Sequence, residues 1–287
     1  MRPHQWVKNL FVAAPLVFAR LVGDTHAALR TAAAFGAFCL LSSAVYLIND
    51  LVDLEKDRAH PVKRKRPLAS GALSPATGRA LAVGLCFAAF AFAFALGPGI
   101  AFLLSAVAYL VVNLAYSLLA LKKVPFVDVG CISLGFLLRV LGGAFAIPVE
   151  PSRWLLACTL LLSALLGFGK RAHELRVAGD KADAGATRDV LLRYDLPTLR
   201  RLMLVLGALT TATYLAYTFS THARVVLHAP HLTWTVPFVG FGIFRFIWIA
   251  SRKADAESPT DSMLRDPAFV TNLFLYAAAV LALLYLS

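Results

Sequence analysis

Apolar stretches of roughly twenty residues follow one another along almost the whole chain, separated by short polar breaks, and none shows the alternation of a half-buried strand. Nine of them, at about 6–22, 27–51, 76–96, 99–120, 127–147, 154–172, 198–219, 232–250 and 267–286, are long enough to be read as membrane spans. Lipid offers no partners to backbone N–H and C=O groups, so spanning segments of this kind must be helices. The pattern therefore predicts an all-α, polytopic membrane helical bundle of about nine transmembrane helices, with residues 1–287 as one integral membrane domain. The first stretch is the weakest, because Lys8, Asn9 and Arg20 interrupt it, and its alternative is a helix lying in the interface. Gly97-Pro98-Gly99 marks a tight turn, which makes the third and fourth spans antiparallel neighbours.

Composition agrees with the pattern. Hydrophobic residues are 59% of the 287 and charged residues 15%, a balance that leaves too little polar surface to cover a soluble domain. No short apolar stretch with a small-residue cleavage site opens the chain, so no removable signal peptide is expected and the helices themselves direct insertion. Cys39, Cys86, Cys131 and Cys158 stand singly in apolar segments and are read as packing residues rather than as a zinc or redox site.

Charge sets the orientation. Of the 28 Lys and Arg, 22 fall on the side that holds the N-terminus, Arg20, Arg30, Arg153 and Arg224 fall on the other, and Arg139 and Arg245 lie inside spans. The positive-inside rule then puts the N-terminus in the cytoplasm and the C-terminus outside, in a bacterial inner membrane.

Basic loops serve topology in any such protein; acidic residues at a membrane edge ask for another reason. At the end of the second span the chain reads Asn49-Asp50-Leu51-Val52-Asp53-Leu54-Glu55-Lys56-Asp57. On a continuous helix Asp50, Asp53 and Asp57 fall within about 60° of one another. Carboxylates that converge so closely require Lys or Arg partners or a cation between them. Mg²⁺ takes oxygen ligands and is usually held by one or two carboxylates together with substrate phosphates, so the cluster suits an Mg²⁺-bound diphosphate, with Asn49 beside it. A solvated acidic helix end is the plainer reading.

Downstream, His60-Pro61-Val62-Lys63-Arg64-Lys65-Arg66-Pro67 disfavours helix and reads as an ordered loop able to carry Lys63 and Arg66 to phosphate oxygens, or as a simple topogenic cluster. A second constellation comprises Tyr116, Lys122 and Asp128, with Arg139 about three turns further into the fifth span. The third is Lys170-Arg171-Ala172-His173-Glu174 at the end of the sixth span, where His173 is read as an interfacial surface histidine rather than a metal ligand.

Asn49-Asp50-x-x-Asp53-x-x-x-Asp57 at the end of the second of nine helices resembles the first Asp-rich motif of the UbiA superfamily of intramembrane prenyltransferases. The usual members of that superfamily hold a prenyl diphosphate with Mg²⁺ between two Asp-rich motifs. Here the loop after the sixth span carries Lys170-Arg171-x-x-Glu174 instead, and Asp180 and Asp183 follow without a tight DxxxD form. That departure, with Arg2 to Asn9, the 44–50 run, the Lys63–Pro67 loop and the 116–128 stretch, resembles the phosphoribosyltransferase branch of the superfamily.

The resemblance implies a UbiA-like fold and a transfer of 5-phosphoribose from phosphoribosyl diphosphate to a polyprenyl phosphate, with Mg²⁺ as cofactor. Asp50, Asp53 and Asp57 are then expected at the metal, with Asn49 orienting them. Lys63, Arg66, Tyr116 and Lys122 are expected at the diphosphate or 5-phosphate, and Asp128 at a ribose hydroxyl or the metal. Gln5, Lys8, Arg139, Lys170, Arg171 and Glu174 are expected around the substrates. No nucleic acid is expected as a partner, and a homo-oligomer stays open. The competing readings are an aromatic prenyltransferase, which requires a second metal site, and a polyprenyl-phosphate carrier, which would place its acidic cluster in mid-membrane rather than at one face.

Overall fold

A computed structural model describes residues 3–59, 63–95, 97, 99–119, 121–178, 189–252 and 259–285. No strand occurs among them, and eight helices are long and apolar enough to cross a membrane. The chain divides into two compact units, residues 1–151 and 152–287.

The first unit begins with a 3₁₀ segment, Pro3–Ala13, that runs into the short helix α1, Ala14–Phe18. This differs from the α-helical span expected over 6–22. The cause lies in what the segment packs against: a methyl group on Gly143 would collide with the Val12 carbonyl, so backbone meets backbone there. Asn9, fully buried, is held by side chains of two other helices. A 3₁₀ helix also rises about 2.0 Å per residue, so these eleven residues and the five of α1 reach about 30 Å, the thickness of a hydrocarbon core.

Helix α2, Thr25–Val52, starts at Asp24, whose carboxylate accepts from the N–H groups of His26 at 2.8 Å and Ala27 at 3.0 Å. Helix α3, Leu54–Ala59, follows after one residue, then α4, Pro75–Ala95, α5, Ile100–Leu118, and α6, Val127–Ala146. Helix α2 lies against α4, α5, α6 and the 3₁₀ segment. The core gathers Val12, Phe38, Leu41, Phe102, Tyr109 and Leu138, with close approaches at Gly142 against Phe38 and Gly36 against Phe92. Small residues at such contacts suit membranes, where packing rather than hydrophobic exclusion joins helices. The neighbours expected across the 97–99 turn touch each other little: α4 lies mainly along α2 and α5 along α6. Buried alanines on α4, Ala82, Ala89 and Ala93, give it a face smooth enough for that close contact.

The second unit contains α7, Arg153–Ala178, a 3₁₀ turn Asp189–Arg193, α8, Leu196–Phe219, α9, Val236–Ala250, α10, Pro259–Arg265, and α11, Pro267–Tyr285. Helix α7 packs on α8, and α9 packs on α8 and α11. Gly169 meets the Phe246 ring and Gly207 meets Ile243. The Tyr214 hydroxyl shares a 2.7 Å hydrogen bond with Thr235 and accepts one from Tyr276 at 3.3 Å. Asp266 caps α11 through the Phe269 N–H at 2.8 Å and takes a bidentate pair of bonds from Arg245, at 3.0 and 2.7 Å. The Arg245 bond holds the Asp266 carboxyl below its ordinary value.

The two longest helices clearly exceed what a membrane requires. At 1.5 Å per residue, the 28 residues of α2 and the 26 of α7 reach about 42 and 39 Å, roughly ten beyond a 30 Å core. The C-terminal overshoot of α2 carries the Asp-rich sequence, and that of α7 carries Lys170 to Glu174.

Candidate active site

Helix α2 does not run straight through the Asp-rich sequence. It ends at Val52, Asp53 takes the capping position with φ −95° and ψ 12°, and α3 begins at Leu54. Backbone bonds bridge the break, from Asp53 N–H to Asn49 O at 3.0 Å and from Asp57 N–H to Asp53 O at 2.8 Å. The helical register therefore survives the interruption well enough to keep Asp50 and Asp57 on one side.

The following loop is folded by its own hydrogen bonds: Arg66 N–H to Lys63 O at 2.9 Å, Ser70 N–H to Arg66 O at 2.8 Å and Leu73 N–H to Pro67 O at 2.8 Å. Leu68, buried, anchors it against Gly78 of α4. Thus pinned, Arg66 reaches back to the helix end. Its Nη1 donates to Asp50 Oδ1 at 3.1 Å and to Asp57 Oδ2 at 2.6 Å. Asp57 is 3% exposed, so its charge is neutralised mainly by that contact. Lys122, in the 3₁₀ turn Leu121–Lys123 after α5, donates to Asp53 Oδ1 at 2.5 Å. Asn49 is fixed by a hydrogen bond from the buried Ser117 hydroxyl near the end of α5.

Three carboxylates turning to a single point were expected. Two of them share the Arg66 nitrogen and the third faces Lys122, and among the described residues no three His, Cys, Asp or Glu side chains group closely enough to enclose a metal. The pair still matches what Mg²⁺ asks of a protein. Asp50 and Asp57 each offer an oxygen to one positive centre, and one or two carboxylates are what Mg²⁺ ordinarily takes before phosphates and waters complete its shell.

Tyr116, next to Ser117 on the last turn of α5, and Lys63, in the same loop as Arg66, are half-buried, while Arg64 and Lys65 are exposed. Asp128 is completely buried in the first turn of α6, behind Phe126, whose φ of 65° turns the chain into that helix. Gln5 and Lys8 are half-buried on the 3₁₀ segment. His60, Pro61 and Val62 lie outside the described residues.

Arg139 is placed differently from the substrate-facing position expected of it. It is 7% exposed, and its Nε donates to Asn9 Oδ1 at 2.7 Å, its Nη2 to the Tyr109 hydroxyl at 2.8 Å and its Nη1 to Gly135 O at 3.0 Å. The rings of Tyr109 and Phe136 lie 4.7 and 5.2 Å from its guanidinium carbon. It ties α5, α6 and the 3₁₀ segment together.

In the second unit, Lys170, Arg171 and Glu174 occupy the late turns of α7. Arg171 is wholly buried and pairs with Glu174 one turn on. His173 is 2% exposed, which corrects its reading as a surface histidine; it faces inward with Arg171. Asp180 and Asp183 lie outside the described residues.

Reading the sequence for charge missed Ser117 and Asn9, both neutral. Their signal was polarity within apolar runs, with Asn113 and Ser117 one turn apart at the end of α5.

Residues 9–276 match the model of the UbiA prenyltransferase family. The decaprenyl-phosphate phosphoribosyltransferase of Corynebacterium glutamicum is 37% identical over 177 residues, 61% of this chain and 53% of that one. That of Mycolicibacterium smegmatis is 38% identical over 185 residues, 62% and 56% of the two chains. The chain thus spans about half the length of the curated relatives it matches. A solved UbiA homologue from Archaeoglobus fulgidus, bound to GPP and Mg²⁺, superposes with a TM-score of 0.68 at 18% identity, over 98% of this chain and 97% of that one.

Proposed function

This chain belongs to the UbiA prenyltransferase family, and from that premise we propose that it is a membrane transferase that moves 5-phosphoribose from phosphoribosyl diphosphate to a polyprenyl phosphate. The bond from ribose C1 to the diphosphate oxygen breaks, a lipid phosphate oxygen bonds to C1, and diphosphate leaves. The observation that carries the reading is the mixed cluster at the end of α2, where three carboxylates are interleaved with Arg66 and Lys122. Such a cluster could take a metal-bound diphosphate by exchanging partners: Asp50 and Asp57 would hold the metal, and Arg66 and Lys122 would donate to phosphate oxygens. The names of the relatives at 37–38% identity support the choice of donor and acceptor.

Asp50 and Asp57 would hold Mg²⁺, with Asp53 joining directly or through water and Asn49 oriented by Ser117. When bound, Mg²⁺ neutralises the negative charge that grows on the departing diphosphate. Arg66 and Lys122, already at that end of the unit, then meet phosphate oxygens, and Lys63 and Tyr116 border the same region. Asp128 is assigned to a ribose hydroxyl. Gln5 and Lys8 are assigned to the substrates' remaining charges, whereas Arg139 belongs to the scaffold; Lys170, Arg171 and Glu174 form a charged group on α7 of the second unit, in which Arg171 pairs with Glu174. No general base is needed, because the attacking phosphate is already ionised. The orientation that places this chemistry in the cytoplasm has the N-terminus inside and the C-terminus outside.

The test is a detergent-solubilised assay with Mg²⁺ and polyprenyl phosphate, comparing labelled phosphoribosyl diphosphate with labelled prenyl diphosphate plus 4-hydroxybenzoate. Label should pass from the phosphoribosyl donor into extractable lipid, cease with EDTA, and fall at least about a hundredfold in Asp50→Asn. Prenylation of the aromatic acid instead would reverse the donor and leave the family intact.

A further inference from the structure

Any transferase of the kind proposed above faces two phosphate esters at once, a diphosphate on the donor and a monophosphate on the lipid. A metal site open to both would trap the acceptor unproductively. The described contacts at the end of α2 suggest how the two are told apart. One nitrogen, Arg66 Nη1, bonds a carboxylate from α2 and a carboxylate from α3, at 3.1 and 2.6 Å. That nitrogen therefore stands at the point where an oxygen-seeking cation between Asp50 and Asp57 would stand.

The arrangement is built rather than incidental. Asp57 is almost wholly buried. Leu68, two residues after Arg66, is sunk against Gly78 of α4, and a bond from Leu73 N–H to Pro67 O closes the loop. Arg66 is itself partly exposed, at 24% of its side chain, so it has room to turn outward while its backbone stays fixed. Arg64 and Lys65, its neighbours in the loop, are exposed.

We propose that Arg66 is a specificity-determining residue: it occupies the cation position between Asp50 and Asp57 and yields it only to a metal that arrives with a diphosphate. The inference rests on the donor assignment made above for its meaning, but the contacts themselves do not depend on which group the diphosphate carries. A divalent cation entering beside the guanidinium is repelled by it, and expelling the guanidinium alone strands a cation without an acceptor. A diphosphate removes both penalties, because it bridges to the metal through one phosphate and takes the guanidinium through the other, where Arg bonds well. A monophosphate carries less negative charge and fewer terminal oxygens to divide between metal and guanidinium, so it offsets less of their mutual repulsion. Metal and diphosphate therefore bind together, and a lipid monophosphate does not draw metal into the site.

The experiment uses the full chain in detergent, stripped with EDTA, and reads Mn²⁺ binding by equilibrium dialysis, with no donor sugar or lipid present. In the unaltered protein, inorganic diphosphate should raise protein-bound Mn²⁺ at least about tenfold at equal free metal, and inorganic phosphate should not. In Arg66→Gln, Mn²⁺ alone should bind about tenfold more tightly than in the unaltered protein, and the diphosphate effect should shrink to about twofold or less. Arg66→Lys, which keeps a cation within reach, should retain most of the coupling. Equal Mn²⁺ binding with and without diphosphate in the unaltered protein overturns the proposal even if Arg66→Gln fails to fold, and weaker metal binding in a folded Arg66→Gln overturns it as well. Because no transfer is measured, loss of this coupling and failure of the phosphoribosyl assay are separate results.

Discussion

Arg139 carries a positive charge into the apolar middle of α6, where it is buried, so its N–H donors must find acceptors inside the protein. Asn9 supplies one of those acceptors and in turn donates to Ser42 at 3.2 Å and Cys39 at 3.3 Å. Replacing Asn9 by Leu should cost about 2 kcal/mol, because it leaves the guanidinium short of a partner, and adding Arg139→Met should recover part of that loss. Thermal denaturation of the two single variants and the double in detergent measures the coupling; strictly additive losses would show that the pair is not a unit. That Asp50 and Asp57 lie on one side was legible from spacing; that Asp53 turns instead to Lys122 was not, because the helix breaks there. The partners of Asn9 and Asn49 were not: they lie 130 and 68 residues away, and no local pattern encodes a contact made by packing. For the same reason Arg139 read as a site residue, because a buried charge looks alike from sequence whether it faces a substrate or an asparagine.

The eight long helices were legible because length and apolarity suffice to define them. The 3₁₀ segment was not, since its extended rise comes from a tertiary contact at a single glycine. Gly143 has no space for a side chain, as the Val12 backbone lies where Cβ would be. Gly143→Ala should therefore lower stability by about 3 kcal/mol and raise the susceptibility of the first twenty or so residues to protease. Gly84, in the middle of α4 with nothing within 4 Å of its missing Cβ, is the control, and Gly84→Ala should be neutral or gain up to about 1 kcal/mol through helix propensity. A similar loss at both positions would mean that helix chemistry, not the close approach, decides. Pinning of the 63–73 loop by Leu68 belongs to this scale too: it holds Arg66 near α2 without a covalent link.

At the scale of the whole molecule, the shorter spans indicate the bilayer thickness that the protein suits. Helices α5 and α11, of 19 residues each, are about 28 Å long, and the 3₁₀ segment with α1 reaches about the same length. Reconstituted into bilayers of graded acyl length, the protein should be most heat-stable where the hydrocarbon core is about 28–30 Å and lose stability on either side. A flat profile between about 22 and 34 Å would show that the chain adapts by tilting instead. The bond from Arg139 to Asn9 also has a meaning in time. A ribosome adding about 5–20 residues each second makes Asn9 roughly 6 to 26 seconds before it makes Arg139. The opening segment is therefore made with its asparagine short of its principal donor, and must wait at the bilayer edge until the fourth long helix has been synthesised. Assembly of this unit closes from the last-made helix back onto the first-made segment.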